Sequence, residues 1–291
     1  MTHSVRKTTA LTVLGVVLGG LTGCGGHGSA PADGPPGAGR SPVVAHAPSH
    51  PASALPPTLA PGPGGLTPVF AHGARTGEKV VALTFDADMT AAEGPRAAAG
   101  EHFDNPELID LLRDLEVPAT VFMTGRWADE YPAQARSIGA DPLFEIANHS
   151  YSHYAFTSPC YGLPDVAKDG MRADAARAFA SFRKAGVRNT VPYFRFPGGC
   201  YDEASLRALA PEKVTAVQWD VIGGDAFATD ADAVAEQVLE GVKPGSLVVM
   251  HCTRSAAPVT DEAVSQVVPE LRRQGYRFVK VSDLIRTVAT S

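Results

Sequence analysis

Seven short apolar runs limit what this chain can fold into. They are VVALTFD (80–86), ATVFMTG (119–125), LFEIANH (143–149), YFRFPG (193–198), VTAVQWD (214–220), SLVVMH (246–251) and RFVKVS (277–282). All are rich in β-branched and aromatic residues and lack the apolar–polar alternation of a half-exposed sheet, so each is expected to be a strand covered on both faces. Between them lie helical patterns: NPELIDLLRDL (105–115), AKDGMRADAARAFASFRKAG (167–186), DADAVAEQVLEGV (230–242) and DEAVSQVVPELRRQG (261–275). Pro269 inside the last of these argues against a single straight helix. Strand-then-helix units repeated about seven times predict one α/β domain with a parallel sheet, closed into a barrel or left open. With 291 residues, 44% of them hydrophobic and 19% charged, the chain can bury a full-sized core. A net charge of -6 without a long basic run argues against nucleic acid as a partner.

Residues 1–23 read as a signal peptide: Arg6 and Lys7 precede an apolar stretch and then small residues, too short and glycine-rich for a transmembrane helix. The run LTGC (21–24) resembles the bacterial lipobox, which makes Cys24 the expected lipidation site and mature N-terminus. Lipid on Cys24 is then the only expected link to a membrane, on the outer face of a bacterial cell membrane. Residues 24–65 are Pro, Gly and Ala-rich and hold too few large apolar groups to offset the entropy of ordering, so a disordered linker is expected there. His27, His46 and His50 are spaced irregularly within it and are read as spectators. The folded domain is expected over 66–291, as a monomer.

Titratable residues gather at the predicted strand exits. Asp86 and Asp88 follow the first run, His149 and His153 the third, Arg195 stands in the fourth, Asp220 and Asp225 follow the fifth, and His251 ends the sixth. In parallel α/β folds those exits converge on one face, where the connecting loops build the active site. His149 and His153 are four residues apart, which on a helical turn puts both rings on one side. Two neutral imidazoles and a carboxylate make a three-ligand site suited to zinc or a similar divalent ion. The HxxxH pair alone is a weak signal, and Asp86 or Asp88 is what strengthens it.

Five ordered motifs, TFDAD (84–88), HSYSH (149–153), RFPGG (195–199), WDVIGGD (219–225) and VVMH (248–251), carry a resemblance to a known family. Over residues 78–286 the chain resembles the polysaccharide deacetylases of the NodB-homology type, carbohydrate esterase family 4. The resemblance implies a distorted (β/α) barrel of about seven parallel strands. It also implies removal of acetyl groups from N-acetylglucosamine polymers or acetylated xylan with a divalent metal, zinc expected and cobalt or nickel as alternatives. By that likeness His149 and His153 bind the metal and Asp86 is the catalytic base. Such a metal acidifies water and polarises the acetyl carbonyl. The backbone N–H of Gly198, after Pro197, is expected to help stabilise the oxyanion, and His251 to protonate the departing amine. Arg195 is expected to hold Asp86, and Asp225 to orient His251 and favour its imidazolium. Asp220 is read as a structural hydrogen-bonding residue.

The sequence departs from the family pattern at several positions. The first motif usually has two adjacent aspartates, base and ligand; here Ala87 takes the second place and Asp88 follows. Either Asp88 reaches the metal, the favoured reading, or water completes its shell. Gly198 replaces a usual tyrosine, Ala226 a usual tryptophan and Val249 a frequent leucine, so substrate preference does not carry over. Of the remaining cysteines, Cys160 and Cys200 are the favoured disulfide, with Cys252 free or the alternative partner. The expected function is a secreted, membrane-tethered deacetylase of peptidoglycan or chitin-like oligomers. The alternatives are a carbohydrate-binding lipoprotein with weakened catalysis on the same fold and an O-acetyl xylan esterase.

Overall fold

The computed structural model describes residues 55–75 and 77–289. The expected signal peptide, Cys24 and the linker up to residue 54 lie outside the described residues. Among those described, the strands are β1 Val69–Phe70, β2 Val80–Ala87, β3 Ala119–Met123, β4 Phe144–Asn148, β5 Thr190–Phe194, β6 Thr215–Val217, β7 Val221–Ile222, β8 Ser246–His251 and β9 Arg277–Phe278. They form one sheet in the order β1-β6-β5-β4-β3-β2-β8-β7, with β9 also paired to β2. Every pairing is parallel.

That order forces the sheet to curl. β6 and β7 lie six strand steps apart in it, which on a flat sheet would be about 29 Å at 4.8 Å per step. Yet Val217 ends β6 and Val221 opens β7, and a chain that short spans at most about 14 Å. The result is the curled, distorted (β/α) barrel that the motifs imply. Asp220, in the connection, ties the seam: its carboxylate accepts hydrogen bonds from Leu247 N (2.7 Å), Ser246 Oγ (2.8 Å) and Arg75 Nη2 (2.7 Å). The Gly73 N–H, just beyond β1, donates to the Gly245 carbonyl at 2.8 Å and draws the same edges together.

The alternation along β2 shows how the interior divides. Val81, Leu83 and Phe85 join the core between sheet and helices, where Leu108, Leu112, Trp127, Phe182, Val264 and Val268 are buried. Val80 and Ala82 point the other way, into the barrel, with Phe122, Tyr193 and Leu247. Val281, Leu284 and Ile285 of the helix Val281–Ala289 plug that same cluster. Farther along β2 the inward positions turn polar, as Thr84 and then Asp86. One end of the barrel is therefore filled with hydrocarbon, and the other is left for chemistry.

Several expectations are corrected. The strand count exceeds seven because β1 and β7 are two-residue strands that no periodicity reveals. RFVKVS is a strand only at Arg277–Phe278 and enters a helix at Val281. The helix Thr260–Arg273 runs unbroken through Pro269, with Val264, Val267, Val268 and Leu271 buried on one face. The linker boundary at 65 falls too late: Tyr193 Oη donates to the Pro57 carbonyl at 2.8 Å, and Leu59 N to Thr215 Oγ1 at 3.1 Å, so residues 55–65 already belong to the domain. Asp220→Ala should lower stability by about 2–3 kcal/mol, since it strands several donors at the seam. A urea unfolding midpoint within error of the parent would contradict that role.

Candidate active site

Strand exits deliver the side chains. Asp86 pairs directly with His251 in the β2–β8 ladder, so the period of two places Asp88 and Thr253 on the same face one step farther on. The Thr253 hydroxyl donates to Asp88 Oδ1 at 2.5 Å, and Asp88 N donates back to that hydroxyl oxygen at 3.2 Å. Ala87, between the two aspartates, points into the core outside the sheet and is fully buried. A carboxylate on this backbone at 87 would be buried among hydrocarbon, so Asp88 is the second acidic residue on the site face.

Arg195 leaves β5 and is fully buried. Its Nη1 donates to Asp86 Oδ1 at 2.6 Å, Nη2 to Thr84 Oγ1 at 2.9 Å and Nε to the Val217 carbonyl at 3.3 Å, while its guanidinium lies 3.8 Å from the centre of the Phe122 ring. Asp86 is thereby fixed through one oxygen, and Oδ2 remains turned to the site. The Arg195 carbonyl is 2.9 Å from His149 Nδ1, so that nitrogen carries the proton and Nε2 presents a lone pair. Burial pushes the His149 pKa down to about 4, against the pull of Asp86, and the ring is neutral at pH 7.

HSYSH is not the helical turn expected from its spacing. Ser150 and His153 have φ of 69° and 57°, in the left-handed region. Asn148 Oδ1 accepts from Ser150 N (2.8 Å) and Ser150 Oγ from His153 N (2.9 Å), which holds the loop in that shape and brings the two imidazoles to 5.0 Å between centroids. His149 Nε2 stands 3.6 Å from Asp86 Oδ2, and His153 Nε2 3.6 Å from Asp88 Oδ2. Among the described residues no three such groups are drawn together tightly enough to hold an ion as they stand. The His153–Asp88 spacing nevertheless suits one, with the His149 ring beside that of His153. A gap of 3.6 Å is too long for a hydrogen bond, while two ligands of a tetrahedral ion at 2.0–2.2 Å lie about 3.4 Å apart. Burial would raise the Asp88 pKa, but His153, His251, the Thr253 hydroxyl and His149 together hold it below the ordinary value, so it is an anionic donor.

His251 closes β8 with its side chain 26% exposed. Its Nδ1 is 3.0 Å from Asp225 Oδ1, leaving Nε2 for the cleft. The other Asp225 oxygen accepts from His251 N and Thr260 Oγ1, both at 2.7 Å. Burial lowers the basicity of His251, but the hydrogen bond and charge of Asp225, with the charges of Asp88 and Asp86, prevail and raise its pKa to about 9. Cys252 is buried and free, with its thiol pushed up to about 12 by burial, so it is no thiolate ligand or nucleophile at neutral pH.

Pro197 is buried, and Gly198 (φ 65°) follows in the turn beyond Arg195. Cys160 and Cys200 are joined by a disulfide, and a Cβ on Gly198 would lie 2.6 Å from Cys160 Sγ. No residue with a side chain fits there, which accounts for the missing tyrosine. Asp86, Asp88, His149, His153, Arg195, Asp225 and His251 thus gather at one end of the barrel, while Asp220 belongs to the seam. Thr84, Asn148, Ser150, Thr253 and Thr260 were not singled out from the sequence. Only Thr84 and Thr253 carried a signal, each two residues from a motif aspartate or histidine on the same strand face.

The family model described as polysaccharide deacetylase matches residues 73–217. A chitooligosaccharide deacetylase of Sinorhizobium fredii is 31% identical over 211 residues, covering 69% of this chain and 89% of that protein. A peptidoglycan-N-acetylglucosamine deacetylase of Bacillus cereus is 29% identical over 212 residues, covering 72% and 89%. Among solved structures, a family 4 acetyl xylan esterase from Clostridium thermocellum holding a cobalt ion superposes with a TM-score of 0.56 at 24% identity, covering 72% of this chain and 91% of its own. A family 4 pseudoenzyme from Bacillus anthracis gives 0.62 at 23% identity, covering 79% and 70%, so its likeness is one of fold. The chain belongs to the polysaccharide deacetylase family.

Arg195→Met should cost about 3–5 kcal/mol of stability by leaving the Asp86 charge without its partner. Adding Asp86→Asn should recover part of that loss. Additive losses in this double-mutant cycle would contradict a coupled pair.

Proposed function

We propose that this chain is a metal-dependent hydrolase that removes acetyl groups from N-acetylglucosamine units of a polysaccharide such as peptidoglycan or a chitin-like oligomer, with water giving acetate and a free amine. The observation that carries this reading is the gathering of two imidazole lone pairs, two carboxylates and one imidazolium at a single barrel end. His149, His153 and Asp88 would hold the ion, zinc being the best match to two nitrogens and one oxygen, with cobalt or nickel as alternatives. Bound there, a divalent cation supplies Lewis acidity, lowering the pKa of water and polarising the acetyl carbonyl.

The remaining work falls to the chain's own groups. Asp86, held through Oδ1 by Arg195, takes the proton of the attacking water at Oδ2. The Gly198 N–H is assigned to help the oxyanion, as the motif likeness implies. His251, anchored through Nδ1 by Asp225, gives the proton at Nε2 to the departing nitrogen as the C–N bond breaks. The sequence supports a setting outside the cytoplasm, with the protein tethered through Cys24, and the Cys160–Cys200 bridge suits an oxidising compartment. Ala87 favours one second reading, a glycan-binding protein with weakened catalysis.

Acetate release from acetylated chitooligosaccharide, peptidoglycan and xylan, with chelator and with metal added back, separates these readings. The hydrolase requires release that a chelator stops and zinc restores; chelator-insensitive glycan binding without acetate identifies the weakened protein, and acetate from xylan alone identifies the esterase. His153→Ala should lose both metal and turnover, whereas Asp86→Ala and His251→Ala should keep the metal and lose about a hundredfold or more in rate. Equal metal loss in all three, measured by elemental mass spectrometry, would refute that division. Because His251 acts as the charged acid, activity should fall as pH rises through its pKa, raised to about 9. Asp225→Asn removes the charge that raises it, so the alkaline limb of the kcat/KM profile should move to lower pH. An unmoved limb would assign that limb to another group.

A further inference from the structure

Two exposed tyrosines sit one residue past each half of the disulfide, in the runs PCYG and GCYD. Tyr161 is 90% exposed and Tyr201 40% exposed, among the few large hydrophobic side chains on the described surface. The bridge holds their preceding Cα atoms 5.9 Å apart, so the two tyrosines leave the same point of the surface from different loops. One loop follows the metal-binding histidines, and the other follows Arg195 and the Pro197–Gly199 turn.

The two tyrosines are held differently, Tyr161 through its backbone and Tyr201 through its ring. Tyr161 has φ of 48°, a backbone position that costs a bulky residue energy and is kept only where the surroundings impose it. A Cβ on Gly198 would meet its Cδ2 at 3.3 Å, so the ring lies over the bare backbone of that turn. Tyr201 stacks on buried Phe196, with centroids 5.5 Å apart and planes at 21°, which fixes its ring while leaving part of it to solvent. Leu163 also approaches Gly198, at 3.3 Å from the same hypothetical Cβ, and fills space beneath the loop. An exposed aromatic ring offers a ligand a broad apolar face with a polar tip, and one already fixed, as Tyr201 is on Phe196, loses little entropy when a ligand orders it.

We propose that Tyr161 and Tyr201, mounted on the Cys160–Cys200 bridge beside Gly198, form a platform for the sugar unit next to the one being deacetylated. The occupant is a β-linked N-acetylglucosamine chain of two or more units, whose pyranose rings alternate apolar C–H faces with hydroxyl edges. The C–H face of a ring lies on a tyrosine, and the phenolic hydroxyls meet the ring substituents. In a chain whose groove has lost a tyrosine at 198, the platform supplies aromatic area from the neighbouring loop and selects long chains over short ones. The proposal rests on the glycan deacetylase reading above.

Its test compares acetate release from an oligomer of five N-acetylglucosamine units with release from one of two units. For Tyr161→Ala we expect KM for the longer oligomer to rise about tenfold, the loss expected of about one stacked ring, with a smaller rise for the shorter one. Tyr161→Phe should keep most of the affinity, and Tyr201→Ala should act in the same direction. Near-ultraviolet circular dichroism and a thiol titration show that fold and bridge remain intact. Binding of the longer oligomer to His149→Ala, measured by calorimetry, separates the two readings. Tyrosine-dependent binding without any acetate release in the parent protein would sink the hydrolase and keep the platform; acetate release with KM equal in parent and both alanine variants would sink the platform and keep the hydrolase.

Discussion

One buried guanidinium organises the site. Arg195 is withdrawn from water, so its charge must be met inside the protein. It is met by Asp86, with Thr84 and the Val217 carbonyl taking the other donors. The same residue's carbonyl sets the tautomer of His149. A single position just past β5 therefore fixes one oxygen of the proposed base, aims the other, and turns a ring nitrogen toward the proposed cation. Its side chain links β2 and β6, which lie on opposite sides of β5 in the sheet, while its backbone meets β4 next door, so the curl of the barrel is what lets one side chain reach both. A flat sheet would put β2 and β6 about 19 Å apart, too far for one arginine to touch both.

The curl itself comes from the short β6–β7 connection, and Asp220 at its corner binds the meeting edges. The two aspartates at strand exits show how environment divides similar residues. Asp220 is occupied by three donors from the seam. Asp86 has one oxygen tied and one open, and only that arrangement leaves a site for a proton.

Much of this was legible in the sequence because strands covered on both faces announce themselves as unbroken β-branched runs, and the titratable residues at their ends mark one face. What remained hidden depends on contacts between distant segments. β1 and β7 are too short to show a period, and they exist because the closing sheet offers them partners. The loop of HSYSH could not be read from its four-residue spacing, since Asn148 and Ser150 hold it in a left-handed form with their own side chains. Residues 55–65 have the composition of a linker, yet a tyrosine hydroxyl 136 positions away recruits the Pro57 carbonyl. The departures at 87 and 198 depend on distant contacts too: the Ala87 side chain faces hydrocarbon, and a side chain at 198 would collide with the Cys160–Cys200 disulfide.

Crystals of the protein soaked with zinc, with anomalous diffraction recorded at the zinc edge, test the account most directly. It predicts one strong peak within bonding distance of His149 Nε2, His153 Nε2 and an Asp88 oxygen, with Asp86 close by but still held by Arg195. A peak elsewhere, or none at full zinc occupancy of the crystal solution, would contradict the claim that these strand exits form a metal-dependent catalytic centre.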